Sequence, residues 1–187
     1  MTEHHRLLDR TRAQLLVIDI QEKLIGTIYK VEAMMDRTRL VIAAARTLDI
    51  PITISEQYPK GLGPTDASVC EACGNAAPVF AKTAFSCLRD DAIQQHLATD
   101  KARRQLVIVG MEAHVCVLQT ALDAAAQGYS VFVAGDAISS RSSSDVDAAK
   151  HRMAQAGITM ISAEMAFFEW LERSGTPEFK TLSPLLR

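Results

Sequence analysis

A chain of 187 residues is long enough to bury a substantial core, and its 48% hydrophobic and 22% charged residues are ordinary globular values. Its net charge of −2 gives no electrostatic footprint for nucleic acid or for an anionic membrane surface. No apolar run approaches the roughly 18–20 residues that span a bilayer. The polar opening MTEHHRLLDRTR has no apolar core after a basic segment, so the chain reads as one soluble, cytoplasmic domain over residues 1–187.

In chain order, Gln14–Asp19 is a short apolar run ending in an acid, the pattern of a buried parallel strand. Apolar positions 31, 34, 35, 41, 42, 45 and 48 follow helical spacing. Pro51–Ser55 is β-branched and predicts a second strand, followed by a loop from Glu56 to Ala77. Pro78–Lys82 predicts a third strand, Asp90–Thr99 a helix and Gln105–Val109 a fourth strand. A helix over His114–Gln127 should close on Gly128 in the left-handed conformation. Tyr129–Ala134, a helix over Ser144–Ala156 ended by Gly157, Ile158–Ile161 and a last amphipathic helix over Ala163–Arg173 complete the pattern. Strands alternating with helices predict an α/β fold, a doubly wound parallel sheet in three layers with helices on both faces.

Ligands of such sheets bind beyond the carboxyl ends of the strands. Three reactive side chains stand there: Asp19 after the first strand, Lys82 at the end of the third and Cys116 just past the fourth. Cys116 follows a strand-to-helix turn, where backbone N–H groups and the helix dipole favour a thiolate. Lys82 should lower the thiol pKa further, and Asp19 should move protons. Each alone has a plainer reading as a turn acid, a surface charge or a core thiol; their joint placement makes them a candidate site. Among the other cysteines, Cys70 and Cys73 form a CxxC without a second ligand pair, and the segment lies in a loop rather than opening a helix after a strand. Cys87 reads as a buried structural thiol or as a resolving partner for Cys116.

The stretches LLVIDIQEKL, KTAFSC and VGMEAHVCVLQTALDAAAQGYSVFVAGDAISSRS, with EQYPKGLG between the first two, resemble the isochorismatase-like cysteine hydrolases, closest to the isochorismatase-domain-containing proteins. The resemblance runs in order from about Arg12 to Glu169. It implies a six-stranded parallel sheet in the order 3-2-1-4-5-6 and a catalytic triad of Asp19, Lys82 and Cys116. It also implies a cis peptide between Met111 and Glu112, and an oxyanion hole formed by the backbone N–H groups of Glu112 and Cys116. Nicotinamidases of this superfamily carry an Asp-x-His-x-x-x-x-x-His metal pattern after the second strand. Ser55–Gly61 has no histidine, so no metal and no cofactor are expected.

Gln57, Tyr58 and Phe85 are the expected substrate-pocket residues, with Glu112 beside them. His114 reads as a structural or pocket-edge residue. Arg141 reads as a partner for an acidic group or a neighbouring subunit, and the serines around it as caps of the following helix. Met165, Phe167, Phe168, Trp170 and Leu171 on the last helix, with an apolar tail, point to a homo-oligomer. The expected function is metal-independent hydrolysis of a small amide or related carbonyl compound through a thioester on Cys116. A non-catalytic thiol redox or scaffold role on the same fold is the alternative.

Overall fold

The computed structural model describes residues 7–74 and 76–186. Its strands are β1 (Ala13–Ile18), β2 (Ile52–Gln57), β3 (Val79–Lys82), β4 (Gln105–Met111), β5 (Ser130–Ser139) and β6 (Thr159–Ile161). They form a parallel six-stranded sheet in the order β3-β2-β1-β4-β5-β6. The chain winds outward from β1 to the β3 edge, returns to lay β4 against the other side of β1, and winds out again. The strand order therefore reverses between β1 and β4, and the crevice at that switch point is where ligands of such sheets sit.

The central strands are apolar on both sides, which is why they read as continuous runs. Along β1, Leu15 and Val17 join one core while Leu16 and Ile18 join the other. Strand β4 divides in the same way, with Val107, Val109 and Met111 on one face and Leu106 and Ile108 on the other. This is the period-two alternation of a pleated strand covered on both faces. The first face is covered by α2 (Val31–Thr47), α4 (Ala67–Cys73), α8 (Ala163–Leu171) and α9 (Pro177–Leu182), through residues such as Val41, Ile42, Val69, Phe167, Trp170 and Leu182. The second is covered by α5 (Asp91–Leu97), α6 (Leu118–Ala126) and α7 (Ser143–Gln155), through Ile93, Leu97, Ala121, Val146 and Met153. Two one-turn helices, α1 (Glu22–Ile25) and α3 (Pro59–Leu62), lie just past the ends of β1 and β2.

Several elements differ from the sequence expectation. Strands β2, β4 and β5 run further than their apolar runs because neighbouring strands supply partners: Gln57 pairs with Lys82, and Gly110 and Met111 with Ile138 and Ser139. The expected loop after β2 contains α4, whose N-terminus is capped by the Asp66 carboxylate accepting from the N–H groups of Ser68 and Val69. Cys70 and Cys73 thus sit on a helix, and both are free. The helix expected from His114 begins instead as a π-helical turn, Ala113–Val117, before α6 takes over. Ser142 precedes α7 without capping it; its hydroxyl meets that of Ser144 at 2.7 Å. The apolar tail forms α9, whose Leu182 is buried, whereas Met165 and Phe168 on α8 remain about half exposed.

Gly110 sets how closely β1 and β4 approach at the crevice. It has φ +117, and a Cβ built on it would lie 2.1 Å from the carbonyl oxygen of Ile18. That atom is backbone of the neighbouring strand, one residue before Asp19, and has no rotamer through which to yield. Gly110→Ala should therefore destabilise the fold by roughly 3 kcal/mol or more, combining backbone strain with overpacking. A fall in the urea unfolding midpoint checks this; an unchanged midpoint would contradict the close approach.

Candidate active site

Asp19 leaves β1 at φ +52, a left-handed conformation that turns its carboxylate across the strand ends. Backbone and side chain are both anchored to β2. The Asp19 N–H donates to the Ser55 carbonyl at 3.0 Å, and the Ser55 hydroxyl donates to Asp19 Oδ1 at 2.7 Å. Lys82, the last residue of β3, reaches past the end of β2 and places Nζ 2.7 Å from Asp19 Oδ2. The ammonium also donates to Gln57 Oε1 at 2.7 Å. Both side chains of this ion pair are essentially withdrawn from water, at 0% and 1% exposure for Lys82 and Asp19.

Cys116 lies in the π-helical turn after β4 and is 6% exposed. Its thiol faces the same ion pair, and the groups that act on it are Asp19, Lys82 and Cys87. Burial pushes the thiol pKa well above the ordinary value, and the Asp19 carboxylate adds to that rise. The Lys82 ammonium acts in the opposite direction and is outweighed. This direction is the reverse of the lowered thiol pKa expected from the turn and the cation, because burial and the adjacent Asp19 dominate. Burial also works against the Lys82 ammonium, yet Asp19 and the two nearby sulfurs outweigh it and hold its pKa above the usual range.

The other expected site residues divide. The peptide between Met111 and Glu112 is cis, and it connects the end of β4 to the turn that carries Cys116. The Glu112 side chain points to Arg141, accepting from Arg141 N–H and Nε at 3.0 Å and from Nη2 at 2.7 Å. These bonds hold the Glu112 carboxyl below its usual pKa range and account for Arg141 within the chain. The Gln57 side chain is committed to Lys82 and, through Nε2, to the Thr83 carbonyl at 2.9 Å. These bonds tie it to the Lys82–Asp19 pair. Tyr58 and Phe85 lie at the surface, 55% and 53% exposed, and among the described residues neither side chain makes a polar contact with the triad. His114 Nδ1 is 2.9 Å from the Ser140 hydroxyl, and Nε2 is 3.9 Å from Asp145 Oδ2.

The sequence reading overlooked Ser55, and it overlooked Gln21, whose amide brackets the Gln57 backbone and bonds the Gly63 carbonyl. Cys87, expected as a buried structural thiol or a resolving partner for Cys116, is buried with its thiol 3.5 Å from the Ser55 hydroxyl. The one available signal was Ser55's position, a small polar residue ending a β-branched run, on the strand flanking that of Asp19. The CxxC pair belongs elsewhere, and among the described residues no cluster of three or more His, Cys, Asp or Glu side chains is grouped to hold a metal ion.

Residues 13–165 match the family model of the isochorismatase domain. The chain belongs to the isochorismatase family. It is 36% identical over 176 residues to the secreted isochorismatase effector Isc1 of Phytophthora sojae, covering 92% of this chain and 83% of that one. A Caenorhabditis elegans protein described as MAR1 ribonuclease superposes with a TM-score of 0.90 at 37% identity, over 96% of this chain and 92% of that one. The Escherichia coli YcaC product, described as an octameric hydrolase of unknown specificity, shares the fold with a TM-score of 0.90 at 22% identity, over 98% and 92% of the two chains. Among the described residues no helix is long and apolar enough to cross a membrane.

A thiol held protonated at rest sets an expected pH dependence. Alkylation of Cys116 by iodoacetamide should climb steadily from pH 7 to 10 without a plateau near neutrality. Lys82→Met should slow it further, because the cation that favours the thiolate is gone. The same variant leaves a buried carboxylate unpaired and should cost about 3–5 kcal/mol of stability. A neutral-pH plateau, or faster alkylation in Lys82→Met, would contradict this account.

Proposed function

We propose that the protein is a metal-independent cysteine hydrolase that cleaves a small amide or related carbonyl compound through a thioester on Cys116. The observation that carries this reading is the convergence of the Cys116 thiol on the buried Lys82–Asp19 pair, with 2.7 Å between Nζ and Oδ2. In the proposed reaction, Cys116 Sγ attacks the carbonyl carbon while its proton passes to Asp19. The carbonyl π electrons move to oxygen, and the backbone N–H groups of Glu112 and Cys116 receive that oxyanion; one such donor is worth about 3–4 kcal/mol of barrier. Asp19 then gives its proton to the leaving nitrogen as the C–N bond breaks. Water attacks the thioester, its proton goes to Asp19, and the C–S bond breaks with return of that proton to sulfur.

Lys82 holds one Asp19 oxygen through the first transfer, and Gln57 keeps Lys82 in place. Tyr58 and Phe85, exposed beyond the ends of β2 and β3, are read as the rim over which substrate enters. The redox alternative is weakened by the thiols themselves. Burial pushes Cys70 up, Cys73 to about 12 and Cys87 to about 11, the reverse of the reactive thiols that would partner Cys116 in redox chemistry. Four free thiols fit the reducing compartment of a cytoplasmic protein, although the Phytophthora relative is named as secreted.

The name of the Caenorhabditis relative brings RNA as a second substrate reading. A net charge of −2 weighs against it, since RNA binding draws on clustered positive charge. A hydrolysis screen over small amides and an RNA oligomer, with Cys116→Ala as control, tests both readings. Turnover of an amide that falls roughly 10³-fold or more in Cys116→Ala is the expected result. Retention of full hydrolysis by that variant, or cleavage of RNA alone, would overturn the proposal.

We also read the chain as a homo-oligomer, on the half-exposed Met165 and Phe168 of α8 and the octameric description of the fold neighbour from E. coli. Light scattering at micromolar concentration should give the mass of a dimer or larger assembly; a monomeric mass would count against it.

A further inference from the structure

Behind the triad lies a buried chain of donors that the proposed reaction does not name. The Ser55 hydroxyl is fully buried and donates to Asp19 Oδ1 at 2.7 Å, while the Cys87 thiol, also fully buried, donates to Ser55 Oγ at 3.5 Å. The Cys87 backbone N–H in turn donates to Thr120 Oγ1 at 2.9 Å. Thr120 stands on α6, the helix that continues directly from the turn holding Cys116. The chain therefore runs from the helix of the nucleophile, through two side chains, to the acid and base that faces it.

Its direction is set by chemistry. A serine hydroxyl has one proton to donate, and Asp19, paired with the Lys82 ammonium, accepts it. Cys87 supplies a proton to the lone pairs of the same hydroxyl, and its thiol, pushed up to about 11, stays a donor across the neutral range. Ser55 cannot then rotate away without losing both bonds inside a water-free core. Lys82 holds one carboxylate oxygen and Ser55 the other, so the plane of the Asp19 carboxylate is fixed relative to the sulfur of Cys116.

We infer that Ser55, oriented by Cys87, is a positioning residue that fixes the Asp19 carboxylate for proton exchange with Cys116. The inference rests on the cysteine-hydrolase reading for its catalytic consequence, and on geometry alone for its effect on the thiol. Removing the hydroxyl withdraws a positive dipole from the buried charge cluster and frees the carboxylate to turn. The thiolate is then harder to form, and proton transfer loses its alignment.

The test compares Ser55→Ala, Cys87→Ala and Cys87→Ser with the native protein, after circular dichroism shows each folded. The first readout needs no substrate: the rate of iodoacetamide alkylation at Cys116 from pH 7 to 10. Ser55→Ala should lower it severalfold at pH 9 and move the profile to higher pH, because the hydroxyl dipole that offsets the Asp19 charge beside the sulfur is gone. Cys87→Ala should lower it by a smaller factor, about threefold. Cys87→Ser, which keeps a donor, should recover most of that loss. On an amide from the screen, kcat should fall about tenfold in Ser55→Ala with KM within twofold, the signature of lost transition-state alignment.

A folded Ser55→Ala with a native alkylation profile overturns the inference, as does Cys87→Ser behaving like Cys87→Ala. If Ser55→Ala does not fold, the two Cys87 variants decide between these outcomes. If no amide is turned over, the hydrolase reading fails while the alkylation profiles still decide the role of Ser55.

Discussion

The Lys82–Asp19 ion pair constrains everything around it. Two opposite charges at 2.7 Å, both out of water, carry a desolvation cost of several kcal/mol each that their attraction offsets only if every remaining donor and acceptor is matched. Here the matching is complete enough to see: Ser55 takes the carboxylate oxygen that Lys82 leaves, and Gln57 takes a proton of the ammonium that Asp19 leaves. Well-packed apolar residues of the same volume would serve stability as well. What the pair provides is a fixed relation between three strands. Lys82 comes from the β3 edge, Asp19 from the centre, and β2 lies between them with Ser55 and Gln57 both engaged.

The fold positions the third member by a different route. Cys116 does not belong to a strand end but to a turn displaced from it, and that displacement begins at Gly110. Without a Cβ, β4 closes on the carbonyl of Ile18, and the β4–β5 register shifts between Ile108 and Gly110. The turn that follows then stands over the end of β1. Parallel order supplies the crevice, the extra residues at the β4–β5 shift lie on β5, and the π-helical turn after β4 carries Cys116.

The layered fold was legible because burial on both faces leaves a plain mark, the apolar run of Leu15–Ile18 or Leu106–Val109. Where pairing rather than hydrophobicity extends a strand, as at Glu56–Gln57 and Gly110–Met111, the sequence carries no such mark. The grouping of Asp19, Lys82 and Cys116 was readable from reactive residues at strand ends together with the family resemblance. Ser55 was not, since a strand-terminal serine looks the same whether it faces solvent or a carboxylate. Gln57 was placed at the site, but its bond to Lys82 was not foreseen, because that partner lies on an adjacent strand. The π-helical turn escaped because its apolar spacing is close to that of an α-helix. The ionisation of Cys116 was misjudged for a related reason: a turn and a lysine are visible in one dimension, whereas burial beside a carboxylate is not.

That protonated thiol has a consequence for how charge moves in the proposed reaction. A resting thiolate would place two anions, on Cys116 and Asp19, beside the single Lys82 cation in a site closed to water, and the excess negative charge would be expensive there. With the proton on sulfur, the resting site holds one anion and one cation. As sulfur attacks, the proton neutralises Asp19 and the negative charge appears on the substrate oxygen, so the count of buried charges does not change. In the proposed reaction the backbone N–H groups of Glu112 and Cys116 receive the oxyanion, while Lys82 stays beside Asp19. The raised pKa of the nucleophile is therefore part of what keeps charge balanced through the step, and it makes the orientation of Asp19, rather than the acidity of Cys116, the quantity the surrounding residues have to control.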